Sequence, residues 1–513
     1  MDPRVSAING LGTEAILETL RRKGIQFWVE NGGLRYRARK GSVTAEDAAR
    51  LRYVGQLYAR RDGPASAASF VPYVLPRPHG TRFPLAFSQL EYWNLRASSG
   101  FRPFRQVASA TGFRGRLDED TLNEALSLIV SRHESLRTRI IMGGGEPLQE
   151  VADHCDRELS VTDLTAVATE QLTEEVQRRI FDVITDAADY AIDPLFKASL
   201  LRLGENEKVL ILALDHMVSD GVSLGIVLRE LVMAYTQMAN GRAMSLPPVH
   251  MQLADYAVWQ RQGIYGLLHD QASIWSGWKR TAFPVDPQST GEAGWATVRF
   301  LIDAPMKAAL GPWARSRGTS LVMTVLTAYV AMLSRWCETE TVSLLVMSDG
   351  RMSRLVENTI GYLAFPLYMR IQLAGGDTFS DMLEKVTTEY CWAGERLDFC
   401  YSCAQTPQPD FVNTASFNWL PTREEPVTAC ENGERTLKLS RIAFKNPFLE
   451  TLDWEIEPWV VLQNLCDEIV AEVGYPRNRF SQATMQKFAE NFGVVLSTLV
   501  NRAGTILRDI LMI

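Results

Sequence analysis

Apolar and polar positions alternate strictly twice near the start of the chain. Ile25, Phe27 and Val29 alternate with Gln26, Trp28 and Glu30, and Leu34, Tyr36 and Ala38 alternate with Arg35, Arg37 and Arg39. A period of two predicts two strands, and Asn31-Gly32-Gly33 between them is a hairpin turn signal. Helical spacing flanks the pair. Thr13 caps a helix carrying Ile16, Leu17 and Leu20, which Gly24 stops just after Lys23. Thr44, with Asp47 three residues on, starts a second helix that turns Leu51, Val54, Leu57 and Tyr58 inward. The pattern then dissolves: residues 62–82 are rich in Pro, Ala, Ser and Gly and read as a linker.

A different pattern marks Lys208–Ser223, KVLILALDHMVSDGVS. Val209 to Leu214 is an unbroken apolar run, as expected for a buried strand. It ends abruptly in Asp215, His216, Ser219, Asp220 and Gly221, after which Leu224, Val227, Leu228, Leu231 and Tyr235 recur at helical spacing. Three ionisable groups therefore stand where a core strand gives way to a helix. His216 is a candidate general base there, with a carboxylate four residues on to support its geometry. Near the C-terminus Phe488, Phe492, Val495 and Leu499 share one face of a closing helix.

Composition narrows the possibilities. The 513 residues allow two or three domains with large cores. Hydrophobic content of 46%, charged content of 22% and a formal charge of −7 fit a globular protein whose main partner is not nucleic acid. No apolar run reaches the ~18 residues of a membrane span, and the N-terminus lacks the build of a secretion signal, so a cytoplasmic location is expected. Seven scattered cysteines suit reduced thiols, and the single C-x-x-C at Cys400 and Cys403 lacks the further ligands of a zinc site; no metal is expected. The first 61 residues depart from the acidic whole, with 12 Lys and Arg against 6 Asp and Glu. With an open hairpin edge, that charge suits an acidic peptide.

Four stretches then occur in one order: FPLAFSQLEYW (83–93), SRHESLRTRI (131–140), LDHMVSDGVS (214–223) and ADYAVWQ (254–260). Together they resemble the motifs of nonribosomal peptide synthetase condensation domains, and the resemblance runs from about residue 83 to the C-terminus. It implies an α/β fold of two chloramphenicol-acetyltransferase-like lobes, a pseudo-dimer with a central tunnel, here 83–270 and 271–513. It implies an acyltransferase whose acyl donor arrives as a phosphopantetheine thioester on a partner carrier protein. No cofactor is then bound by the chain itself, and the acceptor is an amine or alcohol, free or carrier-bound. His216 aligns with the catalytic histidine. Asp220 and Gly221 align with the structural part of the motif, where the aspartate pairs with an arginine, for which Arg137 is the candidate. His133, inside the second motif, reads as structural.

One position departs. Asp215 replaces the first histidine of the family pair, and Asp215, Asp220 and Ser223 also fit the Asp-x-x-x-x-Asp-x-x-Ser pattern of heterocyclisation domains. His216 favours condensation, with heterocyclisation and a non-catalytic interaction module as the alternatives. A short acid at 215 is tolerable if its charge is paired or hydrogen-bonded. In the second lobe, Leu344–Ile371 follows the family's strand, Asp-Gly-Arg-like turn and Ile-Gly motif, with Ala364-Phe365-Pro366 where Val-Asn-Thr is usual. TASFNWLP (414–421) resembles a tunnel strand. Ser223, Phe365, Asn418 and Trp419 are thus tunnel candidates.

Residues 1–61 resemble the TubC-type β-hairpin docking domains at the front of assembly-line proteins, through GIQFWVENGGLRYRARKGSVT. The resemblance implies capture of a short acidic motif at the C-terminus of an upstream polyketide synthase or peptide synthetase subunit, with Trp28, Arg35, Tyr36, Arg37, Arg39 and Lys40 as candidate contacts. No adenylation or carrier segment follows the second lobe, which leads us to expect a free-standing enzyme of chain release.

Overall fold

The apolar run at Val209 is continuous because its strand is covered on both faces. In the computed structural model, Leu210, Leu212 and Leu214 join one core cluster while Val209 and Ile211 join another on the opposite face. The structure describes residues 77, 80–97, 106–154, 159–186, 188–261, 277–289, 291–351, 353–394, 414–420, 438–442, 444, 456–465, 467–502, 504–510 and 512, together with residues 20, 25–30, 33–38, 43 and 51 near the N-terminus.

The N-terminal hairpin is present. Strands β1 (Gln26–Glu30) and β2 (Gly33–Arg37) pair antiparallel, from Gln26 opposite Arg37 to Glu30 opposite Gly33. Leu20, Ile25 and Leu51 form a small buried cluster, with Ala38 and Val43 against it. The flanking helices otherwise fall outside the described residues, as does most of 62–82.

The first lobe begins with β3 (Arg82–Pro84) and helix α1 (Phe87–Ala97), which carry the first motif. There follow β4 (Gln106–Arg114), α2 (Glu119–Arg132), β5 (Thr138–Gly143), β6 (Glu146–Val151), β7 (Ser160–Asp163), α3 (Thr169–Thr185), β8 (Phe196–Gly204), β9 (Glu207–Asp215), α4 (Gly221–Ala239) and α5 (Leu253–Trp259). Strands β7, β8, β9 and β4 form a sheet packed between α3 on one face and α2 with α4 on the other. Alternation along β9 sets this: neighbouring side chains point to opposite faces. β3, β6 and β5 make a separate three-stranded sheet.

The second lobe contains β10 (Trp295–Ile302), α6 (Ala304–Ser316), α7 (Leu321–Trp336), β11 (Thr341–Ser348), β12 (Phe365–Gln372), α8 (Phe379–Gly394), β13 (Ala415–Leu420), β14 (Lys438–Arg441), β15 (Trp459–Asn464), β16 (Ile469–Pro476) and α9 (Gln482–Asn501). Its six-stranded sheet runs β10-β16-β15-β13-β11-β12. Phe488, Phe492, Val495 and Leu499 of α9 are all buried in the core it shares with α7, as their spacing predicts.

One strand crosses over. β14 pairs with β4 at the edge of the first lobe's sheet, from Lys438 opposite Arg114 to Arg441 opposite Thr111. A segment of the second half of the sequence thus completes the sheet of the first. At the other end of the linker, Arg77 reaches Glu134 of the second motif and Asp255 of the fourth, each at 2.7 Å.

Candidate active site

β9 leads into the turn that carries His216. Its last residue, Asp215, is 3% exposed, and its Oδ1 accepts from the Tyr190 hydroxyl at 2.8 Å and from the Met217 amide at 2.9 Å. The acid in place of the usual histidine is therefore hydrogen-bonded, which is the condition for burying it. The Val218 amide donates to the Asp215 carbonyl at 3.0 Å and the Ser219 hydroxyl to the same oxygen at 2.9 Å. These bonds close a tight turn that carries His216.

Asp220 ends the turn and starts α4. As the helix N-cap it accepts from the Ser223 amide at 2.9 Å and the Ser223 hydroxyl at 2.8 Å, satisfying a donor the first helical turn leaves free. Arg351 grips the same carboxylate with Nη1 at 2.8 Å and Nη2 at 3.0 Å, and the Leu363 and Ala364 amides each donate from 3.2 Å. Burial pushes the Asp220 carboxyl up, but the Arg351 guanidinium and the Ser223 donors outweigh it and hold its pKa below the usual aspartate value. Arg351 also donates to the carbonyls of Asp349 and Thr359 at 2.8 and 2.9 Å.

The arginine that pairs with Asp220 is thus Arg351, not Arg137. Arg137 is turned elsewhere: its Nη1 donates to the Ala152 carbonyl, and its nearest acid is Glu134 at 4.0 Å. Arg351 belongs to the Asp-Gly-Arg turn after β11. Gly350 permits that turn: it has φ of +69°, and a Cβ there would lie 2.1 Å from the Leu363 carbonyl oxygen.

Two tunnel candidates are also reassigned. Ser223 is wholly buried, and its hydroxyl, which donates to Asp220, accepts from the Gly361 amide at 3.0 Å. It joins α4 to the second lobe, with its hydroxyl taken up by these bonds. Phe365, 2% exposed, starts β12 and packs into the second-lobe core. Asn418 and Trp419 of β13 are half-buried, with Trp419 packed against that core. The next residue, Leu420, has a methyl 3.7 Å from the position of a Cβ at Gly221, so the end of β13 adjoins the start of α4.

His216 forms a cluster with two phenols. Its ring centroid is 4.4 Å from that of Tyr362 and 5.7 Å from that of Tyr92. The loop is clamped by α1, where Gln89 donates to the Met217 carbonyl at 2.8 Å and Ser88 donates to the Tyr362 carbonyl. Burial keeps both phenols protonated. His216 is part-exposed, and its Nδ1 is enclosed with no hydrogen-bond partner among the described residues. Burial lowers the His216 pKa from the usual histidine value against the opposing pull of the Asp220 and Asp215 charges. At neutral pH the ring is an uncharged base.

Tyr92 stands inside the first motif and Arg351 inside the turn after β11, so each had a local signal but no visible partner. Tyr190 had none. His133 is wholly buried, with its Nε2 2.8 Å from Glu230, in keeping with a structural role. In the hairpin, Trp28 pairs with Arg35 and Gln26 with Arg37, and Tyr36 is 48% exposed; Arg39 and Lys40 lie outside the described residues. Among the described residues, no group of three or more His, Cys, Asp or Glu side chains is placed to hold a metal, and no helix is long and apolar enough to cross a membrane.

Comparison with known proteins agrees with this geometry. A family model described as "Condensation domain" matches residues 81–513, and one described as "TubC N-terminal docking domain" matches residues 14–53. A linear gramicidin synthase protein of Brevibacillus parabrevis is 26% identical over 436 residues, covering 81% of this chain and 8% of that protein. The chain thus spans less than a tenth of that relative's length. The solved X-domain from teicoplanin biosynthesis is 24% identical with a TM-score of 0.67, over 86% of this chain and 99% of that one. A structure titled for condensation domain-mediated chain release from the enacyloxin polyketide synthase is 20% identical with a TM-score of 0.66, over 96% of this chain and 97% of that one. The fold is that of condensation domains, two chloramphenicol-acetyltransferase-like lobes, as the four motifs imply.

Proposed function

Because the chain belongs to the condensation-domain family, whose members form amide or ester bonds, we propose that it moves an acyl chain from a carrier-protein phosphopantetheine thioester to an amine or hydroxyl acceptor. The observation that carries this reading is the placement of His216: a part-exposed imidazole, uncharged at neutral pH, just past the end of a buried strand in a hydrogen-bonded turn. A thioester is already activated, so alignment of the two substrates supplies much of the acceleration. As the acceptor attacks the thioester carbonyl, Nε2 takes the proton it sheds. When the tetrahedral intermediate collapses, the C–S bond breaks and the same proton passes to the departing thiolate. Proton transfer of this kind contributes about 10²–10⁴-fold.

Ring closure after transfer has less support. The residues that suggested heterocyclisation, Asp215, Asp220 and Ser223, are all buried in structural hydrogen bonds. The docking-domain match over residues 14–53 supports recruitment of an upstream carrier protein through a short acidic tail, with the basic residues of β2 as its contacts. A relative of the same fold is titled for chain release from a polyketide synthase, and we extend that role to this chain.

The test is intact-protein mass spectrometry of an acyl-loaded carrier protein incubated with the chain and a panel of amine and alcohol acceptors. Discharge with formation of one amide or ester supports the proposal. Discharge by His216→Ala at the wild-type rate would remove His216 from the chemistry, and retention of the acyl group by wild type with every acceptor would leave a binding module only.

A further inference from the structure

Glu91 stands apart from every other acid near His216. Asp215 accepts from Tyr190 and Met217, and Asp220 from Arg351 and Ser223. Glu91 has no hydrogen-bond or ion-pair partner among the described residues. Its position is nonetheless in the site. Ser88, Glu91 and Tyr92 are spaced i, i+3 and i+4 along α1 and so share one face of that helix. Ser88 on this face donates to the Tyr362 carbonyl, and the Tyr92 ring lies beside His216. The Glu91 charge also acts on the Tyr362 phenol, whose ring centroid is 4.4 Å from that of His216.

From this juxtaposition we infer that Glu91 is the receptor for the ammonium group of an amine acceptor, which it binds and deprotonates beside His216. The inference rests on the acyl-transfer reading above and deepens it, since it makes the product an amide. An amine reaches the site chiefly as R–NH₃⁺, which has no lone pair for attack. The first proton passes to the Glu91 carboxylate, giving R–NH₂ and a neutral carboxylic acid. The free amine attacks the thioester, His216 takes the second N–H proton, and that proton leaves on the thiol. Glu91 returns its own proton to solvent as the product departs. Each of the two protons has its own acceptor, and no alcohol needs the first one.

The electrostatics suit the role. Burial pushes the Glu91 carboxyl up from its usual value to about 7, with no neighbouring charge among the causes. The titratable and charged groups on the elements around it are Tyr92 and Arg96 on α1, Tyr190, Asp215, His216 and Asp220 on the strand-end side, Tyr362, and Arg261, which stacks on Phe87. Arg96 is engaged over the Tyr190 ring and Arg261 with the Leu85 carbonyl, so neither of these cations is paired with Glu91. A part-buried carboxylate without a counter-ion gains most from a cationic ligand.

The experiment titrates full-length wild type, Glu91→Gln, Glu91→Asp and His216→Ala with benzylamine and benzyl alcohol, a pair differing in the group Glu91 reads, by calorimetry from pH 5 to pH 8.5. Wild type is expected to bind the amine at least about tenfold more tightly than the alcohol at pH 8. That preference fades below about pH 7 as the carboxyl takes a proton. Glu91→Gln abolishes the preference without lowering the melting temperature, Glu91→Asp restores part of it, and His216→Ala keeps it. Equal affinity for the two probes in wild type, or an undiminished preference in Glu91→Gln, overturns the inference. If the preference holds while wild type discharges no acyl carrier, the ammonium site stands and the transferase reading falls.

Discussion

Replacing Arg351 by Met tests whether the second lobe holds the His216 turn in place. The guanidinium is 4% exposed and makes two bonds to Asp220, which is itself 3% exposed. Methionine keeps much of the length and apolar stem but leaves a buried carboxylate without its counter-ion. Breaking such a pair costs about 3–5 kcal/mol. Asp220 retains four donors, from the Ser223 amide and hydroxyl and from the Leu363 and Ala364 amides, so we expect the lower end, about 3 kcal/mol. Adding Asp220→Asn removes the stranded charge, and the double variant should recover about 2 kcal/mol relative to the sum of the single losses. The pH dependence has a definite sign. In wild type, Arg351 holds the Asp220 pKa below the ordinary value, so that side chain stays charged down to acid pH. In Arg351→Met only the Ser223, Leu363 and Ala364 donors oppose burial, so the pKa rises above its wild-type value, the folded variant takes up a proton at higher pH than wild type, and its deficit shrinks from pH 7 toward pH 4. Urea unfolding of the four proteins at pH 7 and pH 4.5, followed by tryptophan fluorescence, measures both effects. Single losses that add to within about 0.5 kcal/mol, with the same deficit at both pH values, would refute the reasoning.

Three further outcomes follow from the same geometry. With an acyl-loaded carrier and an alcohol acceptor, the acid limb of the rate profile should lie below the ordinary histidine pKa, because burial makes the protonated His216 ring harder to form; a limb above 6.5 would contradict this. Tyr190→Phe removes the hydroxyl bonded to the buried Asp215 carboxylate and should cost about 1.5–3 kcal/mol in urea unfolding; a loss below about 0.5 kcal/mol would show that Asp215 does not depend on it. Arg35→Glu combined with Arg37→Glu should weaken binding of an acidic partner tail, as should added salt in wild type; calorimetry showing unchanged affinity would remove the electrostatic part of docking.

Local physics made some of this visible in advance and left the rest hidden. The β9–turn–α4 unit was legible because an apolar run, a burst of polar residues and a helical repeat are patterns of consecutive positions. The hairpin was legible for the same reason, as Gln26 opposite Arg37 follows from the alternation itself. Arg351 was not. It lies 131 residues from Asp220, and Arg137 was an equally good arginine until the chain was folded. Ser223 misled differently. Its spacing from Asp215 and Asp220 matched a chemical motif, whereas that spacing from Asp220 is also what a helix N-terminus needs for a reciprocal cap. Phe365 stood out for its place in an altered motif, but the alternation of FPLYMRIQ turns it into the core of the second lobe. Glu91 stands in the first motif yet carried no signal there, because the absence of a partner is a property of three dimensions.

The crossover of β14 sets a rule for splicing assembly lines. Lys438–Arg441 is encoded within the second half of the chain but completes the edge of the first lobe's sheet against Thr111–Arg114. A chimera joined at a single point between the lobes would therefore pair one parent's β4 with the other parent's β14. Backbone hydrogen bonds tolerate such a graft, since they do not depend on side chains. Packing does not: a Cβ at Gly112 would come 2.9 Å from Ser440 Oγ, so these two positions are matched as a pair. An exchange intended to bring in a foreign first lobe must therefore carry two separate stretches of sequence, or reconcile the seam at Gly112 and Ser440.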